Sequence, residues 1–232
     1  VGSRVLDVLA RIGPEVTSIF VVDDACPMQT GAIVTRECTD PRVRVLTHAG
    51  NGGVGAAVVT GYQAALETTA GVVIKLDGDG QMDPSMIPRL AAPVLAGQAD
   101  YSKGNRFHSL RDARTMPFIR VLGNAGLSLL TKLSSGYWQL LDPTNGYTAI
   151  HRDVLAELPL ERIAKRYFFE SDMLYQLNQA RACIVDVPMR AQYGNETSGL
   201  NPWRAMLPFL AGNLRNFLRR VDAITEASRT IM

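Results

Sequence analysis

Asp77, Asp79, Gln81 and Asp83 occupy alternate positions of the stretch KLDGDGQMDP (75–84), directly after the apolar run GVVIKL. Carboxylates this close repel one another unless a cation neutralises them, and hard divalent ions take carboxylate and carbonyl oxygens in preference to sulfur. The spacing therefore predicts a Mg2+ or Mn2+ site built from Asp77, Asp79 and Gln81. Gly78 and Gly80 would let the backbone turn closely around the ion and whatever it carries.

Competing chemistries fit less of the pattern. A calcium loop of the EF-hand kind needs Gly where Met82 stands and Glu where Pro88 stands, and a phosphatase with an aspartyl nucleophile usually has Thr at 81. Asp83 before Pro84 reads as a helix N-cap, which explains Asp83 but leaves Asp77 and Asp79 without work. GNGGVG (50–55) satisfies G-x-G-x-x-G, with Asp77 lying 22 residues beyond Gly55. A nicotinamide oxidoreductase would bind pyrophosphate there, at a helix N-terminus. The same glycines also suit a plain tight turn.

The elements that must hold these residues alternate. Residues 3–12 are predicted as a helix, TSIFVV (17–22) and RVRVLT (42–47) as strands, 54–69 as a helix and 71–76 as a strand, and Pro84 starts another helix to about Gly97. Strand, helix, strand in this rhythm predicts an α/β fold with a mostly parallel sheet flanked by helices, whose ligands collect at the carboxyl ends of the strands. Asp23 and Asp24 follow one strand there, Asp77 and Asp79 another. Farther on, 100–107, 146–151 and 182–189 are expected as strands, and 116–135 and 168–181 as helices. A loop (193–202) precedes a last helix from Trp203 to Val221.

Composition bounds the partners. At 232 residues, 47% hydrophobic and 20% charged with a net charge of +2, the chain suits one domain (1–202) with a helical extension (203–232). That balance argues against nucleic acid as a partner, so any anion is expected at a local site. Cys26, Cys38 and Cys183 have neither disulfide-framework nor zinc spacing, which fits a reducing cytosolic setting. No apolar run reaches the roughly 18 residues of a spanning helix and no signal-peptide layout is present, so the chain as given is expected neither to span a membrane nor to be secreted. His48, His108 and His151 are too scattered for zinc and are assigned no chemistry.

Five blocks, in order, carry a resemblance: VVDDACPMQTG, NGGVGAAVVTGYQAAL, KLDGDGQMDP, KGNRF and DPTNGYTAIHRDVL. Together, from about Val21 to Leu218, the chain resembles a family 2 glycosyltransferase of the GT-A fold, in the branch that includes polyprenol-phosphate sugar transferases. The resemblance implies a metal-dependent, inverting transfer from a nucleoside-diphosphate sugar in cell-envelope polysaccharide or glycolipid synthesis. It assigns Asp23, Asp24, Asn51, Gly52, Asp77, Gly78 and Arg106 to the nucleotide sugar, and Asp77, Asp79 and Gln81 to Mg2+ or Mn2+. A non-catalytic sugar-nucleotide-binding module is the alternative outside the enzymes. Family members usually begin with a strand ending in a Pro-x-x-Asn-Glu-like turn, whereas this chain opens inside the following helix, so a strand upstream of Val1 is expected.

The acceptor is expected to be a polyprenol phosphate or another lipid-linked or glycan group. A sugar hydroxyl needs a general base, for which the resemblance offers Glu170 and Asp172; negative charge at a helix N-terminus is their bland reading. A lipid phosphate needs none, and Asp142, Arg190 and Ser198 would then position it. On the last helix Trp203, Met206, Leu207, Leu210, Leu214, Phe217, Leu218 and Val221 recur at helical spacing, with Arg204, Arg215, Arg219 and Arg220 on the remaining surface. This amphipathic stripe either docks peripherally on the inner face of the cell membrane, or covers the protein's own core or pairs with a second subunit as a homo-oligomer.

Overall fold

A computed structural model describes residues 2–106, 118–189 and 202–230. The first segments pair as predicted. Branched and aromatic side chains give β1 (Ile19–Asp23) and β2 (Val43–Thr47), which run parallel with Asp23 opposite Thr47 at their carboxyl ends. Before them lies helix α1 (Arg4–Ala10), and between them α2 (Thr30–Glu37), which the periodicity reading left out. Ala-rich α3 (Val54–Leu66) packs on β1, and its N-cap is Gly53 at φ +98°, a backbone that favours glycine.

A second sheet has the order β3 (Val72–Lys75), β5 (Thr148–His151), β4 (Tyr101–Asn105), β6 (Ile184–Pro188). β4 and β6 are parallel, while β5 runs antiparallel to both its neighbours. The sheet is thus mixed, because an apolar run gives a strand its faces but not its direction. Alternation along β5 sends Ala149 and Ile150 to opposite sides. Ala149 joins the core cluster of Leu90 and Val94 from α4 (Ile87–Leu95), and Ile150 joins that of Met173 and Leu177 from the helix Phe169–Gln179. Burial on both faces makes β5 the middle of the core.

The other helices are α5 (Phe118–Ser135), α6 (Arg152–Glu157), α7 (Phe169–Gln179) and α8 (Pro202–Thr230). The helix expected from Pro84 opens as a single 3-10 turn, Pro84–Met86, capped by the Asp83 carboxylate on the Ser85 amide at 3.1 Å. This bears out the capping reading of Asp83. α8 is longer than the expected 203–221 and packs on α5 and α7. Its inner side carries Phe209, edge-on to Phe168 with ring centroids 5.6 Å apart, and two buried amides: Asn213 accepts from Ser134 at 2.6 Å, and Asn216 donates to Asp172 at 2.7 Å. The stripe of Leu207, Leu210, Leu214, Phe217, Leu218 and Val221 faces outward, each at least 37% exposed, so it does not cover the protein's own core. Among the described residues, no helix is long and apolar enough to cross a membrane.

Candidate active site

The candidate acids follow the carboxyl ends of β1 and β3. Lys75 is the last residue of β3, and a two-residue period puts its side chain on the same side as that of Asp77. Its ammonium lies 2.9 Å from Asp77 and 3.4 Å from Glu170, which comes from the first turn of α7. Burial opposes the charge on Lys75, yet the two carboxylates outweigh it and raise its pKa. Gly146, in the loop before β5, closes over the trio: a Cβ there would run into Lys75 Nζ and come within 3.4 Å of both carboxylates. Lys75 therefore neutralises two acids that the sequence reading gave separate roles.

Beyond Asp77 the chain turns at Gly80, φ +83°, and Asp79 accepts the Gln81 amide at 2.9 Å. Asp77 is 39% exposed, and Gln81 is exposed. Among the described residues no three His, Cys, Asp or Glu side chains gather into a ready-made metal cage. That donor set fits Mg2+ or Mn2+ in the way such ions usually bind, through one or two carboxylates with substrate phosphates completing the shell.

The acids after β1 hold loops. Asp23 is buried and accepts the amides of Cys26 at 2.7 Å and Gly31 at 2.5 Å, fixing the entry to α2. Asp24 accepts the amides of Gly52 at 2.8 Å and Gly53 at 2.7 Å, and its Oδ1 lies 2.6 Å from His48 Nδ1. Burial would raise the Asp24 pKa, but the Gly52 amide, His48 and the Gly53 amide together lower it. Asn51 Nδ2 donates to the Asp24 carbonyl at 3.1 Å. Two amides that a pyrophosphate would use in GNGGVG, those of Gly52 and Gly53, are thus spent on Asp24, and the next turn's Ala56 amide on the Lys165 carbonyl. Gly55 is pressed against the Ala164 carbonyl, where any Cβ would collide. The loop is a bracket, and the dinucleotide reading loses its donors.

A second cluster gathers around the buried Asp142. Arg106 forks onto the fully buried Asp142, Nε to Oδ2 at 2.7 Å and Nη2 to Oδ1 at 3.0 Å, so residues assigned to donor and acceptor are partners of each other. Nearby Lys103 is also fully buried and donates to the Asn145 carbonyl. Burial lowers its pKa to about 8, with Glu170 and Asp142 partly offsetting the loss. Asp172 is not brought to Lys75. It is 1% exposed and accepts from the Ala164 amide at 2.7 Å and Asn216 at 2.7 Å, with Arg215 at 3.5 Å. Arg190 and Ser198 lie outside the described residues. Lys75, Lys103 and His48 had no assigned role from sequence; only Lys75 carried a signal, its place one strand period before Asp77.

Known proteins resemble the chain in sequence and in fold. The family model described as glycosyl transferase family 2 matches residues 3–158. A polyprenol monophosphomannose synthase of Mycolicibacterium smegmatis is 30% identical over 221 residues, 90% of this chain and 80% of that protein. An undecaprenyl-phosphate mannosyltransferase of Micrococcus luteus is 33% identical over 175 residues, 75% of this chain and 71% of the other. A UDP-N-acetylglucosamine–dolichyl-phosphate N-acetylglucosaminyltransferase of Methanococcus voltae is 32% identical over 152 residues, 66% of this chain but only 60% of its own length. In fold, a glucosyl-3-phosphoglycerate synthase of Mycobacterium tuberculosis, crystallised with Mn2+ and UDP-glucose, superposes with a TM-score of 0.65 at 19% identity, covering 95% of this chain and 76% of that one.

Proposed function

The chain belongs to glycosyl transferase family 2, and from that premise we propose that it moves one sugar from a nucleoside-diphosphate sugar to a polyprenol phosphate. The observation that carries this reading is the open turn after β3, where Asp77 is partly exposed and Asp79 follows it, above a lysine that holds Asp77 in place. A divalent ion bound by Asp77 and Asp79 would neutralise charge growing on the departing diphosphate. Arg106, held by the buried Asp142, would add a guanidinium toward the diphosphate. Asp142 then acts through Arg106 rather than on the acceptor.

The same geometry favours a phosphate acceptor. Asp172 is consumed in buried hydrogen bonds and Glu170 is paired with Lys75, which fits a transfer that needs no general base. An anionic phosphate oxygen attacks the sugar C1 from the face opposite the leaving group. The C1–O bond to the diphosphate breaks, its electron pair leaves with the nucleotide, and no proton moves. The outward apolar stripe of α8, flanked by exposed Arg215 and Arg219, supports a location on the anionic inner face of the membrane, where such an acceptor resides.

Calorimetric titration with UDP, GDP and NAD, each with Mn2+ and with chelator, tests the reading on wild type and Asp79→Asn. One nucleoside diphosphate should bind only with metal, and the substitution should weaken it at least about 10-fold, or about 1.4 kcal/mol. Binding of NAD that ignores the metal would overturn the proposal.

A further inference from the structure

We propose that His48 is a positioning residue for the nucleotide: braced by Thr60, its imidazole sets the Asp24 carboxylate that gathers the glycine turn. This rests on the donor reading above, but its geometry stands apart from it. β1 and β2 are parallel and in register to the pair Asp23 and Thr47, so the next residues, Asp24 and His48, leave the sheet side by side. The His48 amide still donates to the Asp23 carbonyl at 2.9 Å, which anchors the ring's starting point.

Both ring nitrogens then have work. Nδ1 is 2.6 Å from Asp24 Oδ1, and Nε2 is 2.8 Å from Thr60 Oγ1 on α3. With Nδ1 donating to the carboxylate, Nε2 accepts from the threonine hydroxyl, so partners on two elements fix the plane of the imidazole. A ring fixed in this way prevents rotation of the carboxylate it holds.

Counting acceptors shows what that control achieves. An ionised carboxylate offers about four acceptor positions. Among the described residues three are taken on Asp24: His48 and Gly52 fill Oδ1, and Gly53 takes one on Oδ2. The remaining position on Oδ2 is where a nucleotide N–H or ribose hydroxyl would donate. Asp24 and His48 retain 16% and 21% side-chain exposure, so they form the rim of a site and not a sealed core contact. Gly52 leaves no room for a side chain in this bracket, since a Cβ on it would stand 2.9 Å from that of Ala56 and 3.5 Å from Asp24 Oδ1. Without the histidine, two amides alone would hold the carboxylate, and it could swing about its terminal torsion.

The test uses the full chain with His48→Ala, His48→Asn and Thr60→Val. It measures UDP and GDP affinity with Mn2+, donor KM and kcat, and hydrogen exchange at the Gly52 and Gly53 amides. His48→Ala should raise nucleotide Kd and donor KM about 10-fold and leave kcat within about twofold, a loss suited to one charge-assisted hydrogen bond. His48→Asn, whose side-chain N–H reaches where Nδ1 stood, should recover most of that loss. Thr60→Val should cost about threefold. Gly52 and Gly53 should exchange faster in His48→Ala. The proposal is overturned if kcat falls with KM unchanged, if Asn fails to rescue a folded protein, or if exchange at both glycines is unaltered. Should His48→Ala not fold, His48→Asn and Thr60→Val decide by the same KM and exchange readouts. A wild type that binds neither nucleotide sinks the donor reading by itself, and faster glycine exchange in the variants then still upholds the bracket, as unaltered exchange rejects it.

Discussion

Lys103 is fully buried, donates to a backbone carbonyl and lies within the field of Glu170 and Asp142. Its pKa falls from 10.5 to about 8, so between those values the unfolded chain binds a proton that the folded chain does not. Stability from this group is therefore present in full above the unfolded value and is lost as pH falls toward the folded one. Urea unfolding of wild type and Lys103→Met should diverge accordingly. Wild type should lose ground to the variant from pH 10.5 to pH 8, by at most on the order of 3 kcal/mol. A difference independent of pH would mean that Lys103 keeps its ordinary proton affinity. Lys75, also buried, behaves oppositely because two carboxylates touch it.

At the scale of elements, α7 separates two acids that are neighbours in sequence. Residues two apart on a helix do not face each other, so Glu170 turns to Lys75 while Asp172 turns to α8 and the Ala164 amide. Asp172 thereby ties three segments through one buried carboxylate. Asp172→Ala should cost about 3 kcal/mol, because Asn216 and the Ala164 amide are left buried without their acceptor. Chemical denaturation reads that cost. Little change in stability would show that the contact is idle.

On the scale of the whole molecule, α8 buries the amides of Asn213 and Asn216 yet leaves a stripe of leucines, Phe217 and Val221 facing outward, unlike a helix that serves only its own core. Leu210→Ser, Leu214→Ser and Phe217→Ser combined should weaken binding to vesicles containing anionic lipid by at least about 10-fold, since each removes buried apolar area on docking. Adding salt should weaken the wild-type interaction through Arg215 and Arg219. Retained vesicle binding by the triple variant would place the contact elsewhere. A concentration-dependent dimer lost in the same variant would assign the stripe to a second subunit.

Much of the site was legible from sequence, because period and spacing are local quantities. The acids after the strands, the turn glycines, the N-cap at Asp83 and the strand-helix rhythm all follow from residues within a few positions of each other. Tertiary structure alone decided the partners, since these come from residues distant in the chain. Asp77 meets Glu170 through Lys75, Arg106 meets Asp142, and Asp24 meets His48 and the glycine turn. It also decided the reversed direction of β5 and the outward face of α8. A carboxylate's chemistry depends on which charges and amides surround it, and folding, not spacing, brings those within 3 Å.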